Sequence, residues 1–430
     1  MKIFKFGGAS VKSPDGIRNV ASIIKKYCNT PLVVVISAMD KITNELEKLT
    51  EAYMVNDVER KEQIYKEIKA YHFSIMDELF DKDDFVYHTV EQSFHHLHLY
   101  IQQSDGTNYN FEYDRIVSTG ELVSTQIVSH FLNKTGIKNQ WMDASKLIIT
   151  NTSYRDAQPD WNQTNQKIRD FVLPYLKNTD NNADCPVIVS QGFVGGTPQG
   201  FTTTLGREGS DFSAAIFGYS LDAEEVVIWK DVPGLLNADP KILDDTLLLP
   251  EISYQEAIEL SYYGAKVIHP KTLKPLLSKN IPLRVKSFYN PGHDGSVIYE
   301  TMGIISYPPS YIFKFNQVLL SIMPKDFSFI AEDNLSLIFS AFARNGVKIN
   351  LMQNSAISFS VCFDTDKTKT PALMKDLEKN FNLKYNENLE LITIRHYENA
   401  PIENIVKNKE VLLEQKNRTT LQLVVMHPNS

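Results

Sequence analysis

In IFKFGGASV, Ile3 to Val11, a short apolar run delivers a lysine and two glycines to one point. Glycine lets backbone N–H groups approach an anion closely, the helix predicted next aims its positive end at the same place, and Lys5 adds a mobile charge. The chemistry that suits such a turn is phosphate binding, although a strand followed by a plain tight turn uses the same residues. TLGREGSDFSAA, Thr204 to Ala215, is more particular. Gly206 and Gly209 keep a loop open, Arg207 offers a planar fork to a carboxylate or phosphate, Ser210 can cap the helix that follows, and Asp211 falls in its first turn. An ordinary helix start explains the serine and the aspartate but not the whole of Gly-Arg-x-Gly-Ser-Asp, so this cluster reads as functional. In VSTGELVST, Val117 to Thr125, Glu121 stands in the first turn of a predicted helix, where it complements the helix dipole and can also hold an ammonium group.

The elements that position these groups are legible in the spacing of apolar residues. Ser13, Pro14 and Asp15 read as a cap, a first-turn proline and a first-turn acid, and Ile17, Val20, Ala21 and Ile24 share one helical face. PLVVVIS, Pro31 to Ser37, is the β-branched run of a parallel strand buried on both faces. Strand, helix, strand implies an α/β layer. Ser37 and Thr43 then fall beyond a strand's carboxyl end, where open α/β sheets bind ligands; capping is their other use. CPVIVSQGFVGG, Cys185 to Gly196, and EVVIWKDV, Glu225 to Val232, repeat the pattern, the latter ending in Lys230 and Asp231 before a Pro233-Gly234 turn and Lys241. Ser253 and Glu256 form a capping box for a helix ending near Gly264. Beyond it Lys266 returns to a loop, and His269, placed before Pro270, reads as structural.

From Leu46 to Gln103 the sequence turns charged and helical, which predicts a helical excursion over 46–103 inside a first domain of residues 1–300. His95, His96 and His98 point in different directions on one helix, so they read as a solvated, partly packed face rather than a metal site. The Asn290 to Ser296 and Ser306 to Ser310 segments mark a domain exit and a linker. Over 311–430 the order is strand, helix (Leu335 to Arg344), strand, strand, helix (Leu373 to Phe381), strand, a βαββαβ unit. Half a unit of this kind exposes strand edges, which predicts a homodimer.

With 430 residues, 43% hydrophobic and 22% charged, the chain is long enough for two to four domains. A net charge of -8 without a basic tract argues against nucleic acid as the main partner. Cys28, Cys185 and Cys362 have no CxxC spacing, so neither a disulfide framework nor a zinc site is expected, and reduced buried thiols are. No apolar run approaches the ~18 residues of a membrane span, and no signal-peptide pattern precedes the first strand, which predicts a cytoplasmic protein.

KFGGAS, SAMDKITN, STGE, QGF, GREGSD, WKDVPG and GAKVIHP occur in order over essentially the whole chain. Together they resemble the aspartate kinase family of the amino acid kinase superfamily, and the tail resembles its ACT regulatory region. The resemblance implies a three-layer αβα sandwich with a mainly parallel sheet, followed by an α+β ACT-like region. It also implies transfer of the ATP γ-phosphoryl group, with Mg²⁺ on the phosphates, to the side-chain carboxylate of L-aspartate. The product would be 4-phospho-L-aspartate, the first step toward lysine, threonine and methionine.

By the same resemblance Lys5 would neutralise charge on the transferring group, Asp211 would orient that lysine, and Gly7, Gly8 and Ser10 would shape the cradle. Arg207 would grip the substrate α-carboxylate and Glu121 its amino group, with Ser37, Thr43, Phe193 and Ser210 lining the pocket. Lys230, Asp231, Lys241 and Lys266 would fall around the nucleotide. ACT units of the family commonly bind lysine or threonine, and Lys325 to Phe329 with Gln353 to Ser355 is the corresponding stretch. Many members have Thr where Ala9 stands, Gly at Glu208, Thr at Lys230, Tyr at Leu236 and Arg at Lys241. After Tyr397 only a short segment precedes EVLLEQ and TLQLVV, so the second ACT unit reads as abbreviated, and with no GxGxxG unit a fused dehydrogenase is not expected. A kinase of another acid such as glutamate and a non-catalytic amino-acid-sensing protein are the other readings.

Overall fold

The computed structural model describes residues 1–430 except 104–105, 178–184, 266–267, 302, 304, 327 and 428–430. Strand β1 (Lys2–Phe6) is followed by a 3-10 turn, Gly8–Ser10, and by α1 (Pro14–Tyr27), whose N-cap Ser13 accepts the Gly16 N–H at 3.2 Å. Strand β2 (Leu32–Ile36) is buried at all five positions and leads into α2 (Ile42–Met54), α3 (Val58–Leu79) and α4 (Phe85–Gln102), the anticipated helical excursion. Helices α5 (Tyr109–Val117) and α6 (Thr119–Lys134) return the chain to β3 (Asn139–Met142), and α7 (Ala144–Leu147) and α8 (Trp161–Lys177) precede β4 (Val187–Gln191). A hairpin of β5 (Val194–Gly196) and β6 (Thr202–Thr204) opens into α9 (Gly209–Ser220), followed by β7 (Glu225–Lys230), β8 (Glu251–Ser253), α10 (Tyr254–Tyr263), α11 (Pro270–Leu277), β9 (Leu283–Ser287) and β10 (Ser296–Tyr299). Of the capping-box pair, the Glu256 N–H donates to Ser253 Oγ at 3.1 Å.

Eight strands line up as β3-β4-β2-β1-β7-β9-β10-β8, and every pairing is parallel except β9 with β10. Alternation along β1 sends successive side chains to opposite faces. Phe4 and Phe6 enter the core shared with α1 and α6, where Phe6 stacks on Trp229 at 6.0 Å between ring centroids. Ile3 and Lys5 face the other layer, that of α9. Each large apolar side chain buried in such a core contributes roughly 1.5–3 kcal/mol, so this alternation cannot slip without losing both layers.

By internal contacts the chain divides into two compact units, Met1–Leu235 with Pro250–Ile258 and Ile268–Gly303, and Leu236–Leu249 with Glu259–Val267 and Ile304–Ser430. The second unit contains β11 (Ser310–Pro324), α12 (Glu332–Arg344), β12 (Ile349–Asn354), β13 (Phe359–Asp364), α13 (Lys369–Leu377) and β14 (Phe381–Arg395), the βαββαβ order read from the sequence. Helix α13 stops at Leu377 rather than Phe381, because the chain turns there and Phe381 begins β14 in the core. One short helix, α14 (Ile402–Ile405), precedes β15 (Glu410–Lys416) and β16 (Thr420–Met426), so the second module is abbreviated. The sheet order is β12-β13-β11-β14-β16-β15. Strands β11 and β14 serve both modules: each changes register near an asparagine at positive φ, Asn316 at 55° and Asn388 at 56°, a conformation asparagine tolerates.

Two readings of single side chains meet different outcomes. Cys28 and Cys185 are joined in a disulfide with Cα atoms 6.1 Å apart, contrary to the reduced thiols expected, while Cys362 is free and buried. The parallel register of Leu32 against Val187 brings together the residues just upstream of β2 and β4, a proximity that sequence spacing cannot display. His95 and His96 are exposed, and His98 is half-buried, stacked on Tyr65 at 4.6 Å and bonded to Glu62 at 2.8 Å, a solvated and partly packed face as read.

His72 in α3 is different, being fully buried. Its Nδ1–H donates to the Ile68 carbonyl at 2.8 Å, its Nε2 has no partner among the described residues, and burial pushes its pKa down to about 4 from 6.5. The folded chain keeps it neutral where the unfolded chain binds a proton. Its contribution is therefore complete above pH 6.5 and is lost as pH falls toward 4, a loss of roughly 3 kcal/mol. Melting curves at pH 7.5 and pH 5 are expected to show wild type losing more stability on acidification than His72→Phe; equal losses would remove this histidine as the source.

Candidate active site

The carboxyl ends of β1, β2, β4 and β7 lie side by side, and the sequence motifs follow them directly. Lys5 Nζ lies 2.7 Å from Asp211 Oδ1, and Lys230 Nζ lies 4.0 Å from Asp211 Oδ2. Asp211 is 4% exposed; burial raises its pKa, but the charges of Lys5 and Lys230 outweigh that and hold it below the ordinary carboxylate value. Two ammonium groups against one carboxylate leave an excess of positive charge, which suits an anion.

The glycine turn closes on the same place. Gly8 has no room for a side chain, since a Cβ there would stand 2.7 Å from the Ala38 carbonyl oxygen and 2.8 Å from that of Asp40. Its carbonyl accepts the Asp40 N–H at 3.1 Å, which ties the turn to the loop between β2 and α2. A Cβ on Gly7 would lie 3.4 Å from Lys5 Nζ. The N–H groups nearest the glycines belong to the 3-10 turn that ends at buried Ser10, since α1 begins only at Pro14. Ser37 follows β2 and Thr43 lies in the first turn of α2, both half-buried.

Glu121 sits in the first turn of α6, as read, and is 2% exposed. One carboxyl oxygen accepts the Ala38 N–H at 3.1 Å and the other has no partner among the described residues. Burial pushes its pKa up to about 8, against the Ala38 hydrogen bond and the attraction of Lys5. A buried carboxyl with one unused oxygen near a cationic cluster is a socket for a donor, and an ammonium is the donor that offsets its desolvation.

Arg207 is exposed in the loop between β6 and α9, and Asp211 lies in the first turn of α9 as read. Ser210 is not the cap: Glu208 occupies that position at φ 55° without a side-chain cap bond, and Ser210 is buried inside the first turn. A left-handed residue turns the chain into the helix so sharply that the cap position falls before the serine. Glu208 and Phe193, at φ 67°, both hold a conformation that costs non-glycine residues about 1–3 kcal/mol. Phe193 is held by its N–H to Ser213 Oγ at 2.9 Å and by its carbonyl, which accepts the Leu205 N–H at 2.8 Å.

Asp231 follows β7 and is exposed, Lys241 belongs to the second unit, and Lys266 lies outside the described residues. His269 caps α11, its Nδ1 accepting the Lys271 N–H at 3.2 Å, in keeping with a structural role. The sequence reading missed Glu208, whose carboxylate accepts the His269 N–H at 3.0 Å, and Asp114, an acid among the apolar residues of α5. A cavity of about 280 Å³ bounded by Tyr100, Arg115, Asp143 and Gln191 is separate from this cluster.

The model of the Amino acid kinase family matches residues 1–287. The chain belongs to that family. Within it, the chain is 30% identical over 406 residues to lysine-sensitive aspartokinase 3 of Escherichia coli, covering 91% of this chain and 86% of that protein. It is 32% identical over 405 residues to chloroplastic aspartokinase 2 of Arabidopsis thaliana, covering 91% and 71%. It also matches the chloroplastic bifunctional aspartokinase/homoserine dehydrogenase 2 of Arabidopsis thaliana, 30% identical over 88% of this chain but spanning only 42% of that protein's length. The crystal structure of E. coli aspartokinase III with aspartate and ADP shares the fold at a TM-score of 0.83 and 26% identity, over 99% of this chain and 96% of that one.

The protonated state of Glu121 has a measurable consequence. An ammonium ligand entering this socket below about pH 8 would displace the carboxyl proton. Calorimetry of L-aspartate binding at pH 7, in buffers of different ionisation enthalpy, is expected to show release of a proton with wild type and none with Glu121→Gln. Identical proton counts would take Glu121 out of the binding event.

Proposed function

We propose that this chain is an aspartate kinase, moving the γ-phosphoryl group of MgATP to the side-chain carboxylate of L-aspartate to give 4-phospho-L-aspartate and ADP. The observation that carries this reading is the Lys5–Asp211 contact of 2.7 Å, with Lys230 on the second carboxylate oxygen, at the carboxyl ends of β1 and β7. Lys5 stabilises the charge on the transferring phosphoryl group, Asp211 fixes the direction of its ammonium, and Gly7, Gly8 and Ser10 form the cradle. Arg207 binds the substrate α-carboxylate in a bidentate fork and Glu121 its ammonium, so the side-chain carboxylate is turned toward the phosphorus. Ser37, Thr43, Phe193 and Ser210 border the substrate.

A substrate carboxylate of pKa ~3.9 is already ionised at neutral pH, so attack needs no general base and catalysis is alignment plus charge stabilisation. Asp211 is already engaged by two ammonium groups, so magnesium enters as part of MgATP, held chiefly by phosphate oxygens and water. Lys230, Asp231, Lys241 and Lys266 are assigned to the nucleotide.

We assign residues 1–300 to catalysis and 311–430 to regulation by an end-product amino acid, lysine or threonine. Lysine accompanies aspartate in one crystal structure of E. coli aspartokinase III. Here the Ile330 N–H donates to the Ala356 carbonyl at 2.9 Å, which brings the stretches at 325–329 and 353–355 together; Phe327 lies outside the described residues. Edge strand β12 exposes Met352, Gln353 and Asn354, and we assign a homodimer to pairing through this region. Among the described residues no helix is long and apolar enough to cross a membrane. MgATP as co-substrate supports a cytoplasmic location.

Incubation with MgATP, L-aspartate and hydroxylamine is expected to yield an aspartyl hydroxamate, with L-glutamate a poor replacement. Lys5→Ala should lower kcat by about 10²–10³ while the fold is retained. A folded wild type that makes no more product than Lys5→Ala would defeat the assignment. Light scattering should report a dimer, and a monomer at working concentration would remove the edge-strand assembly.

A further inference from the structure

Asp114 is fully buried in α5, and its carboxylate takes three donors from two separate segments of chain. The Arg155 N–H reaches both oxygens at 3.0 and 3.1 Å, the Thr204 N–H reaches one at 2.8 Å, and Thr204 Oγ1 donates to the other at 2.6 Å. Thr204 ends β6 and stands just before the Leu205-Gly206-Arg207 loop. The Thr204 carbonyl accepts the Ala157 N–H at 3.0 Å, and the next residue, Leu205, donates to Phe193.

Gly206, at φ +77°, runs so close to the other anchored segment that a Cβ on it would stand 2.7 Å from Asp156 Oδ1 and 3.0 Å from the Arg155 carbonyl oxygen. Asp156 is ion-paired to Lys271, and Glu208 holds the His269 N–H. Arg207 itself is exposed between these fixed points. Among the described residues, the buried charge that binds both supporting segments of the loop is Asp114.

We infer that Asp114 is a positioning residue for the Arg207 fork: it clamps Thr204 and Arg155 so that the guanidinium is held ready for a substrate carboxylate. This rests on the reading of Arg207 as the aspartate clamp. Burial pushes the Asp114 pKa up to about 6 while its donors oppose the rise, so at neutral pH it is the carboxylate, an acceptor on both oxygens, that fits the site. An amide in its place turns an N–H₂ toward a backbone N–H, leaving donor against donor.

Steady-state kinetics and hydrogen exchange of the full chain test this with Asp114→Asn and with Thr204→Val, which removes only the hydroxyl donor. Both variants are expected to raise the KM for L-aspartate, by about 10-fold or more for Asp114→Asn, with a smaller loss in kcat from poorer alignment and with the KM for ATP nearly unchanged, because Arg207 touches only the amino acid. The double variant should be no worse than Asp114→Asn alone, since both act through the same bonds. Independently of any turnover, exchange at residues 204–209 and 155–157 should quicken while α6 is unaffected. Unchanged exchange at 204–209, or equal losses in kcat and in both KM values, would overturn the inference. A wild type without aspartate-dependent product but with faster loop exchange in the variants would instead overturn the substrate reading and leave the clamp standing.

Discussion

The ion pair between Lys5 and Asp211 is the constraint around which the first unit is organised. It joins the end of the central strand to the first turn of α9, with side chains only 12% and 5% exposed. The desolvation of two such charges can consume most of what their attraction returns, so a buried pair is weak as a source of stability. Its value lies in direction. Lys5 cannot swing into solvent while Asp211 holds it, and Asp211 cannot move while α9 is packed on β1, β2 and β7. Preorganised charge of this kind needs no rearrangement at the moment charge develops.

Three buried carboxyl groups in this unit illustrate how partners decide the outcome of burial. Asp211 has two ammonium neighbours and is held below the ordinary carboxylate range. Asp114 has only neutral donors in direct contact and settles at about 6. Glu121 has a single backbone donor and one unused oxygen, and is pushed up to about 8. The ranking follows the compensation available to each charge. The least compensated keeps an oxygen without a partner among the described residues, whereas the other two are engaged in holding the structure.

The second unit economises on strands. β11 and β14 run through both modules, so the abbreviated module borrows two of its four strands and, among the described residues, supplies β15, β16, a 3-10 turn at Tyr397–Asn399 and the single turn of α14. Ile392, Ile394, Leu421 and Leu423 cover one face of that module, with Ile402 and Ile405 of α14 packed over it. A long helix pair is unnecessary where the borrowed strands already anchor the sheet.

The element order, the parallel run of buried strands, the helical excursion and the βαββαβ tail were all determined by the chain alone, because apolar periodicity and caps are local properties. The residue types at Lys5, Glu121, Arg207 and Asp211 likewise offered groups suited to anions and to an ammonium. Tertiary structure decided the rest. Strand register put Lys5 on the face of α9 rather than that of α1, brought Cys28 to Cys185, and turned Asp114 from one acid in a helix into the acceptor beneath a loop far along the sequence. Positive φ at Glu208 moved the helix cap away from Ser210. These outcomes depend on which distant backbone groups meet, and a sequence read along its length carries no record of that meeting.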